Sequence, residues 1–294
     1  MKSFITICLA LSHPSSGFLN GHKNNISKFQ DQTHNAVLNT RTSLCMSKND
    51  NTFDRRSLLS NTGKLIPAAA FFAWPFPTLA DDDSKGKIVV FGGSGYVGAH
   101  VSQILSSKGY NVVSVSRKSP SDQVDKVSQI LGASLTNVDY QSADAINDDL
   151  SSIVNGATAV VSCVGVTPGG PNQIAGNGVA NVRIVDAAKA AGIDRFVYIS
   201  VDSALSSGPA KFVLGDYFKG KAQAEAAVTK GFDGEKSLVI KPGIIAGAPP
   251  GEIRPPGPPG SKAVSVDAVA KAVVAGVVGE KSGVIDGNAA IESL

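Results

Sequence analysis

Between residues 88 and 116 the chain reads IVVFGGSGYVGAHVSQILSSKGYNVVSVS, and this run limits the fold more than any other feature. The apolar residues Ile88–Phe91 lead into Gly92, Gly93, Ser94, Gly95, Tyr96, Val97 and Gly98. A segment of helical period then runs to Gly109, and a second β-rich run covers Asn111–Ser116. Strand, glycine turn, helix and strand make a βαβ unit. Glycines at 92, 95 and 98, and also at 93, 95 and 98, satisfy two phosphate-turn spacings at once. The first glycines let the chain turn sharply, Gly95 lets the backbone approach a diphosphate, and Gly98 lets the helix pack close to the strand. The amino end of the helix then faces the phosphate charge. All seven residues, 92 to 98, are expected to line a dinucleotide site.

The alternation continues to the end of the chain. ASLTNVDY, ATAVVSCVG, DRFVYISV, KSLVIKPG and SGVIDG read as strands. GNGVANVRIVDAAKAAG, GDYFKGKAQAEAAVTKG and VSVDAVAKAVVAGVVG read as helices. Alternation of this kind predicts an α/β fold, a doubly wound parallel sheet of the Rossmann type with helices on both faces. APPGEIRPPGPPG, residues 248–260, reads as an extended surface loop.

Charge divides the chain into two parts. Residues 1–80 carry eight Lys or Arg against three Asp or Glu, whereas the whole chain has a net charge of only +3. The basic excess therefore sits in the leader, and the body has no footprint for nucleic acid. The leader opens on MKSFITICLALSHPSSGF, a short signal-like run, followed by an Asn-, Ser- and Thr-rich stretch of transit-peptide character. Arg55-Arg56 then precede an apolar segment from Ile66 to Ala80, in the manner of a twin-arginine export signal. That segment contains Pro67, Pro75 and Pro77 and falls short of the roughly 20 residues of a membrane span. Three addresses in this order resemble the import route into plastids that lie inside extra membranes, with the thylakoid lumen as end point; a disordered tail with a chance Arg-Arg is the plainer alternative. An uncleaved segment would instead tether the protein to the thylakoid surface. The expected division is a removable leader at 1–80, a nucleotide domain at 81–247, and a short C-terminal substrate lobe at 248–294. Of Cys8, Cys45 and Cys163 only the last lies in the body, so no internal disulfide is expected there, and no metal site is expected.

The end of the second strand bears on the choice of coenzyme. A carboxylate there would bind the adenosine ribose hydroxyls, but the chain reads Ser116-Arg117-Lys118. A guanidinium and an ammonium suit the 2′-phosphate of NADP and favour it over NAD; a solvated basic corner is the plainer alternative.

VVFGGSGYVGAH, NVDY, VVSCVG, NGVANVRIVDAAKAAGIDRFVYIS, YFKGKAQAE and VIKPGIIAG together resemble the short-chain dehydrogenase/reductase superfamily in its extended and atypical branches. More narrowly, they resemble the NAD(P)-binding proteins related to the nucleotide-carrying accessory subunit of respiratory complex I, and their plastid relatives. The resemblance implies that Asp139 and Tyr140 lie against the adenine, and that Cys163, Val164 and Gly165 flank its ribose. It implies that Asn177 steadies the central helix, and that Pro242, Gly243 and Ile245 border the nicotinamide. Lys221 would hydrogen-bond the nicotinamide ribose.

Tyr217 and Lys221 are four apart, which puts them on one helical face. A phenol ordinarily titrates near 10, so it needs a neighbouring cation to exchange a proton at neutral pH. Lys221 supplies one, and Tyr217 is the candidate general acid/base. The superfamily's serine partner has no clear counterpart. Ser200 falls within a strand, Val201 or Asp202 takes the expected place, and Ser203 follows one residue late. Two functions stay open: an NADP-dependent oxidoreductase or isomerase acting on a small carbonyl or quinone-like substrate, or a non-catalytic nucleotide-binding structural or redox-sensing protein of a thylakoid assembly.

Overall fold

The computed structural model describes residues 85–252 and 262–294. The expected leader and most of the proline-rich loop lie outside them.

Seven strands form one sheet: β1 (Lys87–Phe91), β2 (Asn111–Ser116), β3 (Val138–Ser142), β4 (Ala157–Ser162), β5 (Arg195–Ile199), β6 (Ser237–Lys241) and β7 (Gly283–Asp286). Their order is β3-β2-β1-β4-β5-β6-β7, and every neighbouring pair is parallel. The order reverses between β1 and β4, and ligands of open α/β sheets bind at the carboxyl ends of the strands beside such a switch point. The structure is thus the expected doubly wound Rossmann fold.

The helices are α1 (Tyr96–Ser107), α2 (Pro120–Leu131), α3 (Ser151–Val154), α4 (Ala180–Ala190), α5 (Ser203–Ser207), α6 (Gly215–Gly231), α7 (Val266–Val277) and α8 (Asn288–Glu292). A wider π-helical turn, Ala175–Val179, opens α4. On one face of the sheet Val89, Phe91, Val160, Phe196, Tyr198 and Val239 pack against α4 and α6 through Ala180, Ile184, Ala224 and Val228. On the other, Ile88, Val90, Val161, Val197 and Ile240 pack against α1 and α7 through Val101, Leu105, Val269 and Val273. The central strands are buried on both faces, which is why they read as continuous apolar runs and not as alternating ones.

Helix ends carry a further signal. Ser119 Oγ caps α2 by accepting from Asp122 N (3.2 Å), and Ser265 Oγ caps α7 by accepting from Ala268 N (3.0 Å). α1 starts behind Gly95 with no side-chain cap.

Three departures from the sequence reading follow from packing. α2 carries no clear signal in the sequence: only Gln123 and Val127 of its residues are buried, too few for a clear apolar stripe. β3 starts at Val138, not Ala133, because the residues before it complete the return from Gly132, whose φ of 72° ends α2. The expected lobe at 248–294 is not a separate layer. Val264 pairs with Ile245, α7 fills the face beside α1, and β7 joins β6 as the seventh strand. Those last residues complete the nucleotide domain because α7 is apolar enough to need cover from the sheet.

Candidate functional site

The glycine turn leaves β1 at the switch point and is held by main-chain bonds. Gly92 N donates to Val115 O (2.8 Å), Gly93 N to Val90 O (3.2 Å) and Gly95 N to Gly92 O (2.9 Å). Gly92 has φ of 75°, and a Cβ on it would stand 2.9 Å from the Cys163 carbonyl. A Cβ on Gly98 would collide with the Gly92 oxygen and lie 2.8 Å from Gly93 Cα. Side chains at these two positions would close the cradle from within, so the glycine pattern meets the shape a diphosphate needs. Ser94 is buried, and Tyr96 hydroxyl donates across the rim to Ala246 O (3.2 Å). Val97 packs on the α1/α7 face.

Arg117 and Lys118 are exposed where β2 ends, and Lys118 N donates to Ser116 Oγ (3.3 Å). The neighbour across the rim is not the one expected. Asp139 pairs with Val113, which pairs with Val89, two residues below Phe91 and therefore roughly 7 Å below the rim. Its carboxylate is exposed and accepts from Gln141 Nε2 (2.6 Å). Tyr140 pairs with Ser114 and shares its α2-facing side of the sheet; its hydroxyl is buried, and burial raises its pKa. The expectation that Asp139 and Tyr140 meet the adenine is therefore corrected. With β3 running on to Ser142, the rim belongs to Ala143, whose N–H donates to Ser116 O (2.9 Å), and to Asp144. Asp144 is held below the usual carboxylate range, first by the Ile146 N–H (3.0 Å) and also by Asn147 and by the cations of Arg117 and Arg183.

Past β4 the chain enters the cleft as Cys163, Val164 and Gly165. Two buried asparagines hold it. Asn177 Oδ1 accepts from Val166 N and its Nδ2 donates to Val166 O, both at 3.1 Å. Asn181 Nδ2 donates to Val164 O (3.3 Å) and to Asn177 O (2.9 Å). Part of the Cys163 residue reaches the surface, yet burial pushes its thiol up to about 12 despite the Lys221 charge, so it is no nucleophile.

Lys221 lies at the centre. It is buried on α6, donates from Nζ to Ile199 O (2.9 Å) and stands 5.2 Å from the Tyr198 ring centroid. A Cβ on Gly165 would lie 3.4 Å from its Nζ and 2.9 Å from Asn177 Oδ1. Lys221 therefore touches the floor of the cleft where β4 ends. Burial brings its pKa down to about 8, with Cys163 and Glu225 acting in the opposite sense. Tyr217 is half-buried one helical turn before it, with its ring edge against Phe218 (centroids 5.4 Å).

The missing serine has a structural account. Ser200 N continues the ladder to Ile240 O (2.7 Å), and its hydroxyl donates to Glu225. Val201 is buried. Asp202 caps α5 by accepting from Ala204 N (2.7 Å), and Ser203 opens that helix with its N–H on Asp286 Oδ1 (3.0 Å). Glu225 also pairs with Lys241 (3.2 Å), which lies 4.0 Å from Asp286. Beyond β6, Asp202 N donates to Pro242 O (2.9 Å), and Gly243 N donates to Asn288 Oδ1 (2.8 Å). Asn288 Nδ2 reaches Ile244 O (3.3 Å) and Lys262 O (2.7 Å), so one side chain holds the loop of Pro242, Gly243 and Ile245. Sequence reasoning missed Asp144, Glu225, Lys241 and Asn288. Of these, only Glu225 carried a signal, standing four residues after Lys221 on the same helical face.

Fold and cradle together define a dinucleotide-binding α/β protein. A family model described as NAD(P)H-binding matches residues 92–278, and the chain belongs to that family. Nicotinamide dinucleotide binding and the short-chain dehydrogenase-like Rossmann type accord with it. Among curated proteins, the uncharacterized protein At1g32220, chloroplastic, of Arabidopsis thaliana is 33% identical over 180 residues, 61% of this chain and 57% of its own length. The chain thus spans little more than half of that relative. Solved structures share the fold. The enzyme WbmH of Bordetella bronchiseptica in complex with NAD+ aligns with a TM-score of 0.52 at 19% identity, covering 68% of this chain and 75% of its own. The UDP-glucuronic acid 4-epimerase of Bacillus cereus in complex with NAD gives 0.53 at 16%, with 68% and 77% covered. The oxidoreductase ylbE of Lactococcus lactis gives 0.53 at 21%, with 71% and 96% covered.

Proposed function

We propose that the chain is an NADP-dependent oxidoreductase or isomerase of the plastid, acting on a small carbonyl or quinone-like substrate. The observation that carries this reading is Lys221, a buried cation aimed at the Gly165 end of β4, one turn from Tyr217. Residues 92–98 would hold the diphosphate, Arg117 and Lys118 the adenosine phosphate, Ala143 and Asp144 the adenine side. Cys163, Val164 and Gly165 would line the middle of the cleft, with Pro242, Gly243 and Ile245 on the nicotinamide side.

The bound nicotinamide supplies or accepts hydride. Below pH of about 8 Lys221 is charged, and it would grip the nicotinamide ribose and favour the phenolate form of Tyr217. Tyr217 would give a proton to the substrate oxygen or take one from it. The Asn177 and Asn181 bonds would keep the loop after β4 from drifting across the cleft.

A second reading has its own observation. Ser200 is bonded to Glu225 and Asp202 to the start of α5, which removes both from the third catalytic place. That favours a nucleotide-binding sensor or structural protein, in the manner of the complex I accessory subunit that the sequence resembles. Location in the plastid is supported by the chloroplastic relative and by the leader's composition; the end point we propose is the thylakoid lumen if the leader at 1–80 is removed, or the thylakoid surface if its apolar segment is kept.

Purified protein, its co-purified nucleotide identified, would be offered aldehydes and quinones while reduced-nucleotide absorbance is followed. Turnover that disappears in Tyr217→Phe with nucleotide binding retained supports the enzyme. Tight binding without turnover on any of these substrates refutes it in favour of the sensor.

A further inference from the structure

Gln123 stands on α2, yet none of it reaches solvent. A buried amide left unpaired is costly, and this one is fully paired. Its Nε2 donates to Lys118 O (3.0 Å) and to Gln141 O (2.8 Å), while its Oε1 faces the Ser114 hydroxyl, which donates to it (3.3 Å). Carbonyls only accept, so the two of them determine which way the amide points. The Ser114 hydroxyl in turn fills the space that a Cβ on Gly93 would take. A buried chain of contacts therefore runs from the glycine turn through Ser114 and Gln123 to the backbone of Lys118. It links the diphosphate turn to the exposed corner that carries Arg117 and Lys118, and through Gln141 it ties that corner to the end of β3.

We infer that Gln123 is a positioning residue for coenzyme choice, holding the Ser116–Lys118 corner at a set distance from the glycine turn so that Arg117 and Lys118 meet the 2′-phosphate of NADP. This rests on the proposed role of Arg117 and Lys118. The physical reason is preorganisation. Both cationic side chains are exposed and lose rotamer freedom on gripping a phosphate. If their backbone also had to be ordered at that moment, the added cost would fall on the phosphorylated coenzyme alone. NAD, which lacks the 2′-phosphate, makes no such demand on the corner.

The test is the ratio of NADP+ to NAD+ affinity, by calorimetry, in the full chain and in Gln123→Met. Met keeps the length of the side chain and removes its hydrogen bonds. Both proteins are compared at a temperature where near-UV circular dichroism shows them folded. The expected result is a roughly tenfold fall in preference for NADP+. An unchanged ratio, whatever happens to Tm, would make Gln123 a packing residue and overturn the inference. A wild-type protein with no preference for NADP+ overturns the phosphate role of the corner, and that result appears before any variant is made. Should Gln123→Met fail to fold, hydrogen exchange on the wild type decides. A preordered corner exchanges the amides of Arg117 to Ser119 within about threefold with and without NADP+. Slowing beyond about tenfold would mean that the ligand orders the corner, and the inference fails.

Discussion

The two halves of the sheet rim treat their polar groups in opposite ways. From β3 to β4 the rim is made of backbone. Gly92, Gly95 and Gly98 keep side chains out of the cradle, α1 starts without a cap, and the buried polar side chains Gln123, Asn177 and Asn181 bond to carbonyls and amides that shape loops. From β5 to β7 the rim is made of side chains bonded to each other or to nearby helix starts. Ser200 meets Glu225, Glu225 meets Lys241, and Asp202 and Asp286 take the first amides of α5. The first half is shaped to receive; the second is largely closed on itself, with Lys221 and Tyr217 at the boundary. The half shaped to hold the coenzyme and the half that would carry the proposed proton transfer are therefore built from different kinds of contact.

The largest effect that would test this contrast concerns Lys221. Its folded pKa of about 8 lies below the ordinary 10.5, so over that window the unfolded chain holds a proton the folded protein has released. Wild-type stability should rise as pH climbs from about 8 toward 10.5, by about 3 kcal/mol in all. In Lys221→Met that component is absent, so in urea unfolding the wild type should gain about 3 kcal/mol relative to the variant across the window. A constant difference would break the picture of a cation whose burial outweighs its partners. Next is Gly98→Ala, whose methyl meets the Gly92 carbonyl and should weaken nucleotide binding by about 1–3 kcal/mol, read by calorimetry. Retained affinity would show that the cradle yields more readily than its packing implies.

Glu225→Gln should then lower stability by about 1 kcal/mol, seen as an earlier urea midpoint, because Lys241 loses a partner that is itself only partly exposed. If that variant also gained turnover, the closed half would be self-inhibited through Ser200, which sharpens the comparison. The smallest effect is at Cys163. With its thiol pushed up to about 12, Cys163 should stay unlabelled by a thiol reagent at pH 8 until denaturant is added, as read by mass spectrometry of its own peptide.

Much of the binding half was legible beforehand, because its signals are local. β1, the glycine turn, α1 and β2 follow one another directly, and their residue types are dictated by backbone shape. Asp139 shows where local reading stops. It stands at the end of an apparent strand, but the ladder to β2 begins at Val138 and carries the strand two residues further, so Asp144 takes the rim. The contacts of Ser200 were equally hidden, since its partner Glu225 lies 25 residues away and Lys241, which pairs with Glu225, lies 41 away.

By itself the order of residues settled the parallel alternation and the glycine cradle, since both arise from interactions between near neighbours. Only the folded structure decided which carboxylate follows the end of β3, that the last strand joins the same sheet, and that Ser200 and Asp202 are bonded elsewhere. Those outcomes depend on strand register and on side chains brought together from distant segments, and neither is written in any short stretch of the chain.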